Sequence, residues 1–286
     1  MHSFLLLLLA FQAPVEADVL YSKAGGEELK MDIYRPAPKS NGGKSGAVIV
    51  LHGGAWMAGK RQDVAGLAQY LASKGLLAAC PSYRLAPKHK WPAMLDDAQT
   101  AVRYLRANAD KYAIDPGRIG AAGLSAGGHL SLLLGARETR DPKPAEHPGV
   151  SSRVRAVFNV FGPTDLSNDF GKGVDGMFAI VLGKPREEAS EEIRDASPVT
   201  HVDAGDAPVF TLHGKADTLV PYKQAERLDE KLKAAKVPHE LALVEGMGHS
   251  LNAQDAGIRS ALDRAAAFLV RWLTPPAQKA ESRKAA

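Results

Sequence analysis

The chain has 286 residues, of which 45% are hydrophobic and 24% are charged, and its formal net charge is +4. This composition is ordinary for a globular protein and excludes a disordered, collagen-like or coiled-coil chain. No apolar run approaches the roughly 20 residues of a membrane-spanning helix, and the basic residues form no stripe. The sequence therefore predicts neither stable membrane insertion nor nucleic-acid binding.

The N-terminus carries a candidate export signal. Residues 4–11 form a short apolar run of the length found in signal peptides, and Val15 and Ala17 stand at the −3 and −1 positions of a cleavage site before Asp18. No basic segment precedes this run, which leaves a hydrophobic first helix or a truncated start as alternatives. We predict a signal peptide over residues 1–17 and an exported protein, periplasmic or secreted. Without a functional signal the protein would be cytoplasmic.

From residue 18 onward, the hydrophobicity pattern alternates between strands and helices. Continuous apolar runs predict strands that are covered on both faces, and apolar stripes at three- and four-residue spacing predict helices. The predicted strands span residues 19–22, 29–34, 47–51, 76–81, 118–123, 154–161, 208–212 and 239–244. The predicted helices span residues 64–74, 96–112, 126–135, 222–236 and 258–272.

This alternation predicts one α/β domain over residues 18–274, with a mainly parallel sheet and helices on both faces. Residues 165–201 interrupt the alternation and form either a small lid or a long irregular connection. The polar tail at 275–286 is expected to be disordered. The single cysteine, Cys80, lies in a predicted buried strand, so we interpret it as a core thiol.

The pentapeptide at 123–127, Gly-Leu-Ser-Ala-Gly, fits the pattern G-x-S-x-G. A predicted strand leads into it and an apolar helix leads out, the setting in which a sharp turn holds a serine hydroxyl above a sheet. Bulky residues two positions before or after the serine would clash in so tight a turn. We therefore predict Ser125 to be a nucleophile at the beginning of a helix rather than part of a plain strand–helix turn.

A serine nucleophile needs a base, and the base needs an acid that fixes its tautomer. His249 lies in a glycine-rich loop after the last predicted strand, and Asp217 follows the strand before it. Ser125, Asp217 and His249 therefore follow one another along the chain in the order nucleophile, acid, base, which is the order expected for a site built on G-x-S-x-G. Asp165 also follows a strand and is the alternative acid.

Three other histidines lie near these motifs. His52 and His213 each end a predicted strand before a glycine, and we expect them to brace loops through hydrogen bonds. His129 falls within the helix that follows Ser125, where we expect a hydrogen-bonded core histidine.

A second glycine motif, the segment 52–56 (HGGAW), follows the predicted strand at 47–51. Glycines let backbone N–H groups point at a carbonyl oxygen with no side chain in the way. We predict that Gly53, Gly54 and Ala126 donate to the oxyanion of a tetrahedral intermediate. No zinc, phosphate-loop or other cofactor motif is present in the sequence, so we expect neither a metal nor a cofactor.

These segments resemble the α/β-hydrolase superfamily, and they are most similar to the hormone-sensitive-lipase-like carboxylesterases and the bacterial feruloyl-esterase-like branch beside them. The segments that carry the resemblance are HGGAW at 52–56, SYRLAP at 82–87, WPAMLDD at 91–97, GLSAGGH at 123–129, HGKADTLVP at 213–221 and GMGHS at 246–250.

The resemblance implies an eight-stranded sheet, no cofactor and a catalytic triad of Ser125, His249 and Asp217. It places Trp56 beside the oxyanion hole, near the acyl pocket, and Arg84 and Asp97 in the scaffold. The first strand begins soon after the candidate signal, where hormone-sensitive-lipase relatives often carry cap helices. We therefore expect a fairly open site.

The expected function is a serine carboxylesterase that works through an acyl-enzyme. Its substrates would be small esters with short acyl chains, or acetyl and feruloyl esters linked to polysaccharide. An amide hydrolase of the arylformamidase or peptidase type would share the same triad. A non-catalytic binding protein with this fold is a third alternative, although such proteins usually lack a triad member. The oligomeric state is left open.

Overall fold

The predicted strands assemble into one eight-stranded sheet. The computed structural model describes residues 15–38, 43–140, 146–170 and 172–275. The strands are β1 Val15–Ala24, β2 Glu27–Tyr34, β3 Ser45–Leu51, β4 Leu77–Pro81, β5 Ile114–Leu124, β6 Val157–Val160, β7 Val209–Gly214 and β8 His239–Val244. The helices are α1 Ala65–Ser73, α2 Ala93–Ala107, α3 Ala126–Ala136, α4 Asp175–Leu182, α5 Ser190–Ala196, α6 Lys223–Ala234 and α7 Ala256–Leu273.

The strand order is β1-β2-β4-β3-β5-β6-β7-β8. Strand β2 is antiparallel to both neighbours, and all other pairs are parallel, which confirms the predicted mainly parallel sheet. After β3 the chain moves outward to β4 and then returns to β5 on the other side of β3. The carboxyl ends of β3 and β5 therefore form a switch point, where open α/β sheets bind their ligands.

Each face of the sheet packs against its own layer of helices. Alternate residues of β3 show this clearly, because Ile49 belongs to the core under α2, α3 and α6, whereas Val50 belongs to the core under α1 and α7. Helix α3 is buried over residues 126–135, as its apolar sequence predicts. It lies against the centre of the sheet and is the most completely enclosed of these helices.

Some predicted boundaries differ from those observed. Helix α2, predicted over residues 96–112, begins three residues earlier, directly after Pro92, and ends at Ala107, with Asn108 as its C-cap. The Asn108 side chain donates a hydrogen bond to the Tyr104 carbonyl at 2.8 Å and so satisfies one of the last carbonyls of the helix. Residues 165–201 contain α4, α5 and three short 3-10 turns.

The predicted terminal segments fall mostly outside the described residues. Of the predicted signal peptide, only residues 15–17 are described, and they belong to β1, where Glu16 binds Arg35 at 2.9 Å. Of the predicted tail, only residue 275 is described. None of the helices in the described ranges combines the length and apolar character that a membrane crossing requires.

A buried ion pair ties the loop after β4 to α2. The Arg84 side chain contacts both carboxylate oxygens of Asp97, with Nη2–Oδ1 at 2.7 Å and Nε–Oδ2 at 2.9 Å. The Arg84 amide also donates to the same carboxylate at 2.8 Å. Asp97 is only 2% exposed, so solvent screens the attraction between the two charges only weakly.

We expect Asp97→Asn to lower the free energy of unfolding by about 3–5 kcal/mol, because it leaves the guanidinium of Arg84, whose side chain is only 15% exposed, without its counter-charge. Urea unfolding followed by circular dichroism would measure this loss. Glu240→Gln is the control, since Glu240 pairs with Arg264 at the surface, at 3.1 Å. It should cost less than about 1 kcal/mol. Equal losses in the two variants would contradict the anchoring role of the buried pair.

Candidate active site

Ser125 lies in a sharp turn between β5 and α3, with φ 54° and ψ −120°. This conformation is strained for a residue with a side chain, at a cost of about 1–3 kcal/mol. Two backbone hydrogen bonds hold it: the Ser125 amide donates to the Val160 carbonyl at 2.9 Å, and the Ser125 carbonyl accepts from the His129 amide at 3.0 Å. The turn is therefore fixed from the sheet on one side and from the helix on the other.

The two glycines of G-x-S-x-G let three backbone segments meet. A Cβ on Gly123 would collide with the backbone of Gly127, and a Cβ on Gly127 would collide with the carbonyls of Leu51 and His52 at the end of β3. Strand β5, helix α3 and strand β3 thus approach one another as closely as backbone permits. The sequence predicts that side chains at these two positions would clash in the tight turn, and these contacts show the clash.

Ser125, His249 and Asp217 form one hydrogen-bonded chain. His249 Nε2 lies 2.9 Å from Ser125 Oγ, and His249 Nδ1 lies 2.6 Å from Asp217 Oδ2. The three side chains come from the loops after β5, β8 and β7. With a proton on Nδ1, the imidazole donates to Asp217 and its Nε2 accepts from the serine hydroxyl, the arrangement in which it can remove the serine proton.

The Asp217 side chain is fully buried. Its Oδ1 accepts hydrogen bonds from the amides of Leu219 and Val220, each at 2.9 Å. Burial alone would raise the pKa of this carboxyl, but hydrogen bonds from His213, His249 and the Val220 amide outweigh it and hold the pKa well below its usual range. Asp217 therefore stays ionised beside His249.

The alternative acid, Asp165, has other partners. Its carboxylate accepts from the Ser167 amide at 3.0 Å and from the Asn168 side chain at 2.8 Å, and it lies 3.4 Å from Arg227 of α6. The structure thus brings Asp217 to His249 and leaves Asp165 to fix the loop after β6.

His52 and His213 contact backbone carbonyls of their own loops, as expected. His52 Nδ1 donates to the Gly53 carbonyl at 2.8 Å, and His213 Nε2 donates to the Val220 carbonyl at 2.9 Å.

The loop after β3 lies directly against the serine turn. A Cβ on Gly53 would stand 3.3 Å from Ser125 Cβ, so the two backbones nearly touch. Gly54, Ala55 and Trp56 all have positive φ, at 113°, 53° and 59°. The amide of Ser125 is occupied by Val160, whereas Ala126 stands in the first turn of α3, where amides lack partners within the helix.

The serine turn, the loop after β3 and His249 face a cavity of about 500 Å³. Gly53, Gly54, Ser125, Ala126 and His249 line it, together with a largely apolar wall. The other lining residues are Ala55, Trp56, Gly59, Asp63, Val64, Leu124, Phe161, Pro163, Phe170, Val174, Met177, Phe178, Leu219, Val220, Ser250 and Leu251. Ser125 and His249 are half-buried, so the reacting atoms remain open to solvent from one side.

Sequence reasoning missed much of this wall. Phe161 has φ 40°, and its ring lies 4.4 Å from the His249 imidazole, centroid to centroid. Phe170, Val174 and Phe178 come from the segment 165–201 and form one side of the cavity. The interruption of the strand–helix pattern marked that segment, but no residue pattern in it identified the lining side chains.

Trp56 and His129 form a buried pair beside the cavity. The Trp56 indole N–H donates to His129 Nδ1 at 3.2 Å, and His129 Nε2 lies 2.6 Å from the Ala196 carbonyl. Both nitrogens of the imidazole are therefore occupied, as expected for a core histidine. Burial lowers the pKa of His129 to about 4.

The described residues contain no group of three or more His, Cys, Asp or Glu side chains that could hold a metal ion. Cys80 is buried in β4, and burial raises the pKa of its thiol well above the usual range. Such a thiol is not reactive.

Comparison with known proteins places this chain in a family. The BD-FAE family model matches residues 31–232, which is more than half of the chain. The chain belongs to the BD-FAE family. The dienelactone hydrolase family model matches residues 191–274. Both matches agree with the α/β-hydrolase resemblance, which is thereby confirmed.

The chain is 34% identical over 230 residues to esterase LipC of Mycobacterium tuberculosis, covering 77% of this chain and 55% of that protein. It spans about half the length of the curated relatives that it matches.

Among solved structures, a propionate-bound thermophilic esterase from Thermogutta terrifontis is 28% identical with a TM-score of 0.78, covering 92% of this chain and 96% of the other. A truncated carbohydrate esterase from gut microbiota is 27% identical with a TM-score of 0.79, covering 92% and 97%. The Thermogutta esterase has also been solved phosphorylated by paraoxon. These likenesses confirm the α/β-hydrolase fold.

We expect Gly127→Ala to lower the free energy of unfolding by about 1–3 kcal/mol, because the new methyl group must displace backbone at the end of β3. Gly66→Ala is the matched control in α1, where a Cβ meets nothing within 4 Å. That change should stabilise the protein by up to about 1 kcal/mol through helix propensity. Urea unfolding of both variants tests the pair, and similar effects of the same sign would contradict this account of the turn.

We also expect His129 to make stability depend on pH. Its pKa is about 4 in the fold and roughly 6.5 in the unfolded chain. The unfolded state therefore binds more protons between these values, and stability falls as pH decreases through this window, by roughly 2–3 kcal/mol at pH 4.5. Unfolding free energies at pH 7 and pH 4.5 should show a smaller decrease for His129→Gln than for the wild type. An unchanged decrease would contradict the prediction.

Proposed function

We propose that this protein hydrolyses carboxylic esters through an acyl-enzyme on Ser125. The observation that carries the proposal is the chain of hydrogen bonds from Ser125 Oγ to His249 Nε2, at 2.9 Å, and from His249 Nδ1 to Asp217 Oδ2, at 2.6 Å. This chain stands at an apolar cavity of about 500 Å³, a size that suits a small organic substrate. The named esterases among its relatives and structural neighbours support the same activity.

In the proposed acylation step, Ser125 Oγ attacks the ester carbonyl carbon while its proton passes to His249 Nε2. The negative charge that develops on the carbonyl oxygen accepts hydrogen bonds from the amides of Gly53, Gly54 and Ala126. Each such donor lowers the barrier by about 3 kcal/mol. The tetrahedral intermediate then collapses, the bond to the alcohol oxygen breaks, and His249 gives its proton to the departing alcohol.

Deacylation repeats these steps with water. His249 removes a proton from the water as its oxygen attacks the acyl carbon, the bond to Ser125 Oγ breaks, and His249 returns the proton to the serine. Asp217 remains ionised throughout, because its pKa lies well below the usual range. Its charge stabilises the imidazolium that forms in each half of the cycle.

We propose short-chain acyl esters as substrates, including acetyl and feruloyl esters linked to polysaccharide. The apolar wall around Trp56 and Phe178 supports an acyl group of limited length or an aromatic one. The carbohydrate esterase from gut microbiota among the structural neighbours supports a polysaccharide-linked alcohol. The proposal includes export, which is supported by the apolar run at residues 4–11.

We expect Ser125→Ala to lower kcat for p-nitrophenyl acetate by at least about a thousandfold, because the nucleophile is lost. The melting temperature should not fall, since removing the hydroxyl deletes no packed group. Ser260→Ala, an exposed serine of α7, is the matched control and should retain full activity. Labelling by paraoxon, followed by mass spectrometry of the peptide, should occur at Ser125 in the wild type and the control only.

A substrate panel then tests the ester class against its alternatives. Turnover of acetyl to long-chain p-nitrophenyl esters, methyl ferulate and acetylated xylan would support the proposal and measure the acyl preference. Labelling of Ser125 with cleavage of N-formylkynurenine but of no ester would assign the site to amide hydrolysis. Neither labelling nor turnover in a folded protein would overturn the enzymatic function.

A further inference from the structure

The oxyanion loop is connected to the segment 165–201 through a single buried histidine. The Trp56 indole N–H donates to His129 Nδ1 at 3.2 Å, and His129 Nε2–H donates to the Ala196 carbonyl at 2.6 Å. His129 is 0% exposed and Trp56 is 3% exposed. Because each ring nitrogen has one partner, the imidazole is fixed in one tautomer and one orientation.

The residues held by this connection are strained. Ala55 and Trp56 both occupy the left-handed region, which costs each of them roughly 1 kcal/mol or more. A loop in this conformation persists only where contacts hold it. The Trp56 carbonyl accepts from the Ala86 amide at 3.0 Å, and the Trp56 indole is held by His129. The loop that carries Gly53 and Gly54 is therefore fixed at its far end through both the backbone and the side chain of Trp56.

The other end of the connection is firmly anchored. Ala196 is the last residue of α5, and its neighbour Asp195 pairs with Arg137 at 2.8 Å. The Asp195 carbonyl also lies 2.8 Å from His201 Nε2. The Ala196 carbonyl is thus an acceptor whose position is set by α3 and by the segment 165–201.

A hydrocarbon side chain would fill the space of His129 without the cost of burying a polar ring. The imidazole adds direction, because it determines where the Trp56 indole N–H must point. A second indole offers a comparison: Trp91 packs 5.9 Å from the same imidazole, but its N–H donates to Asp195 at 3.2 Å and not to His129.

We propose that His129 is a positioning residue for the oxyanion hole, acting through the Trp56 indole to hold the amides of Gly53 and Gly54 where the oxyanion forms. This inference rests on the proposed ester hydrolysis. His129 does not line the cavity, so its effect is on alignment and not on substrate contact. Loss of the connection should therefore reduce kcat and leave KM nearly unchanged.

The test compares His129→Leu, His129→Gln and Trp56→Phe, with Trp91→Phe as the matched control. Rates with p-nitrophenyl acetate are divided by the concentration of sites that paraoxon titrates, so that unfolded protein does not count. We expect His129→Leu and Trp56→Phe to lower kcat by about 10- to 100-fold, less than the loss of a whole oxyanion donor. KM should change by less than about threefold in His129→Leu, because His129 does not line the cavity.

Two further comparisons separate positioning from simple packing. His129→Gln offers one acceptor and one donor and should recover part of kcat, and Trp91→Phe should leave kcat unchanged. The double variant of Trp56→Phe and His129→Leu should lose no more than the worse single variant, because both break one connection. Unchanged kcat per titrated site, multiplicative losses, or an equal loss in Trp91→Phe would overturn the inference.

If the wild type neither turns over esters nor reacts with paraoxon, the proposed function fails by itself. The connection is then tested by the indole N–H signals of the three tryptophans in ¹H–¹⁵N spectra. The Trp56 signal should shift in His129→Leu, and the signal of Trp272, which packs in the core on the other face of the sheet, should stay near its wild-type position. A Trp56 signal that does not move would overturn the inference independently of activity.

Discussion

The site depends on Ser125 remaining in a backbone conformation that serine disfavours. With φ 54°, the residue is held by its hydrogen bonds to Val160 and His129 and by the contact of Gly127 with the end of β3. Because α3 is enclosed on all sides, its packing against the sheet supplies the stability that offsets this strain. The position of the hydroxyl is therefore a property of the whole central layer, and any change that shifts α3 relative to β3 also moves the hydroxyl away from His249.

The electrostatics of the site follow from the same close packing. Asp217 keeps its charge in a buried setting because the backbone amides of Leu219 and Val220 point at it and two imidazoles surround it. The two amides belong to the loop after β7 and do not move when a proton is transferred. A fixed negative charge next to His249 lowers the energy of the imidazolium without any rearrangement.

Much of this arrangement could be predicted from local sequence. The strands are apolar runs because both faces of the sheet are covered, and G-x-S-x-G needs its glycines wherever a strand, a turn and a helix meet this closely. Loop position favours Asp217 over the alternative acid Asp165, which also lies between Ser125 and His249 in the chain, and the structure places Asp217 beside His249. The sequence does not reveal that α2 begins at Ala93, because the apolar stripe that marks the helix begins about one turn later.

The remaining features depend on contacts between distant parts of the chain. The left-handed conformation of Phe161 and the partner of the Trp56 indole leave no pattern in the sequence, and Trp56 and His129 are separated by 73 positions. The same holds for the serine and its base, which are 124 positions apart. Closing such long loops costs conformational entropy, and this cost is offset only when β5 through β8 have all paired in register. Recovery of the Ser125–His249 contact during refolding therefore marks completion of the entire carboxyl-terminal half of the sheet, a later event than the formation of any single helix.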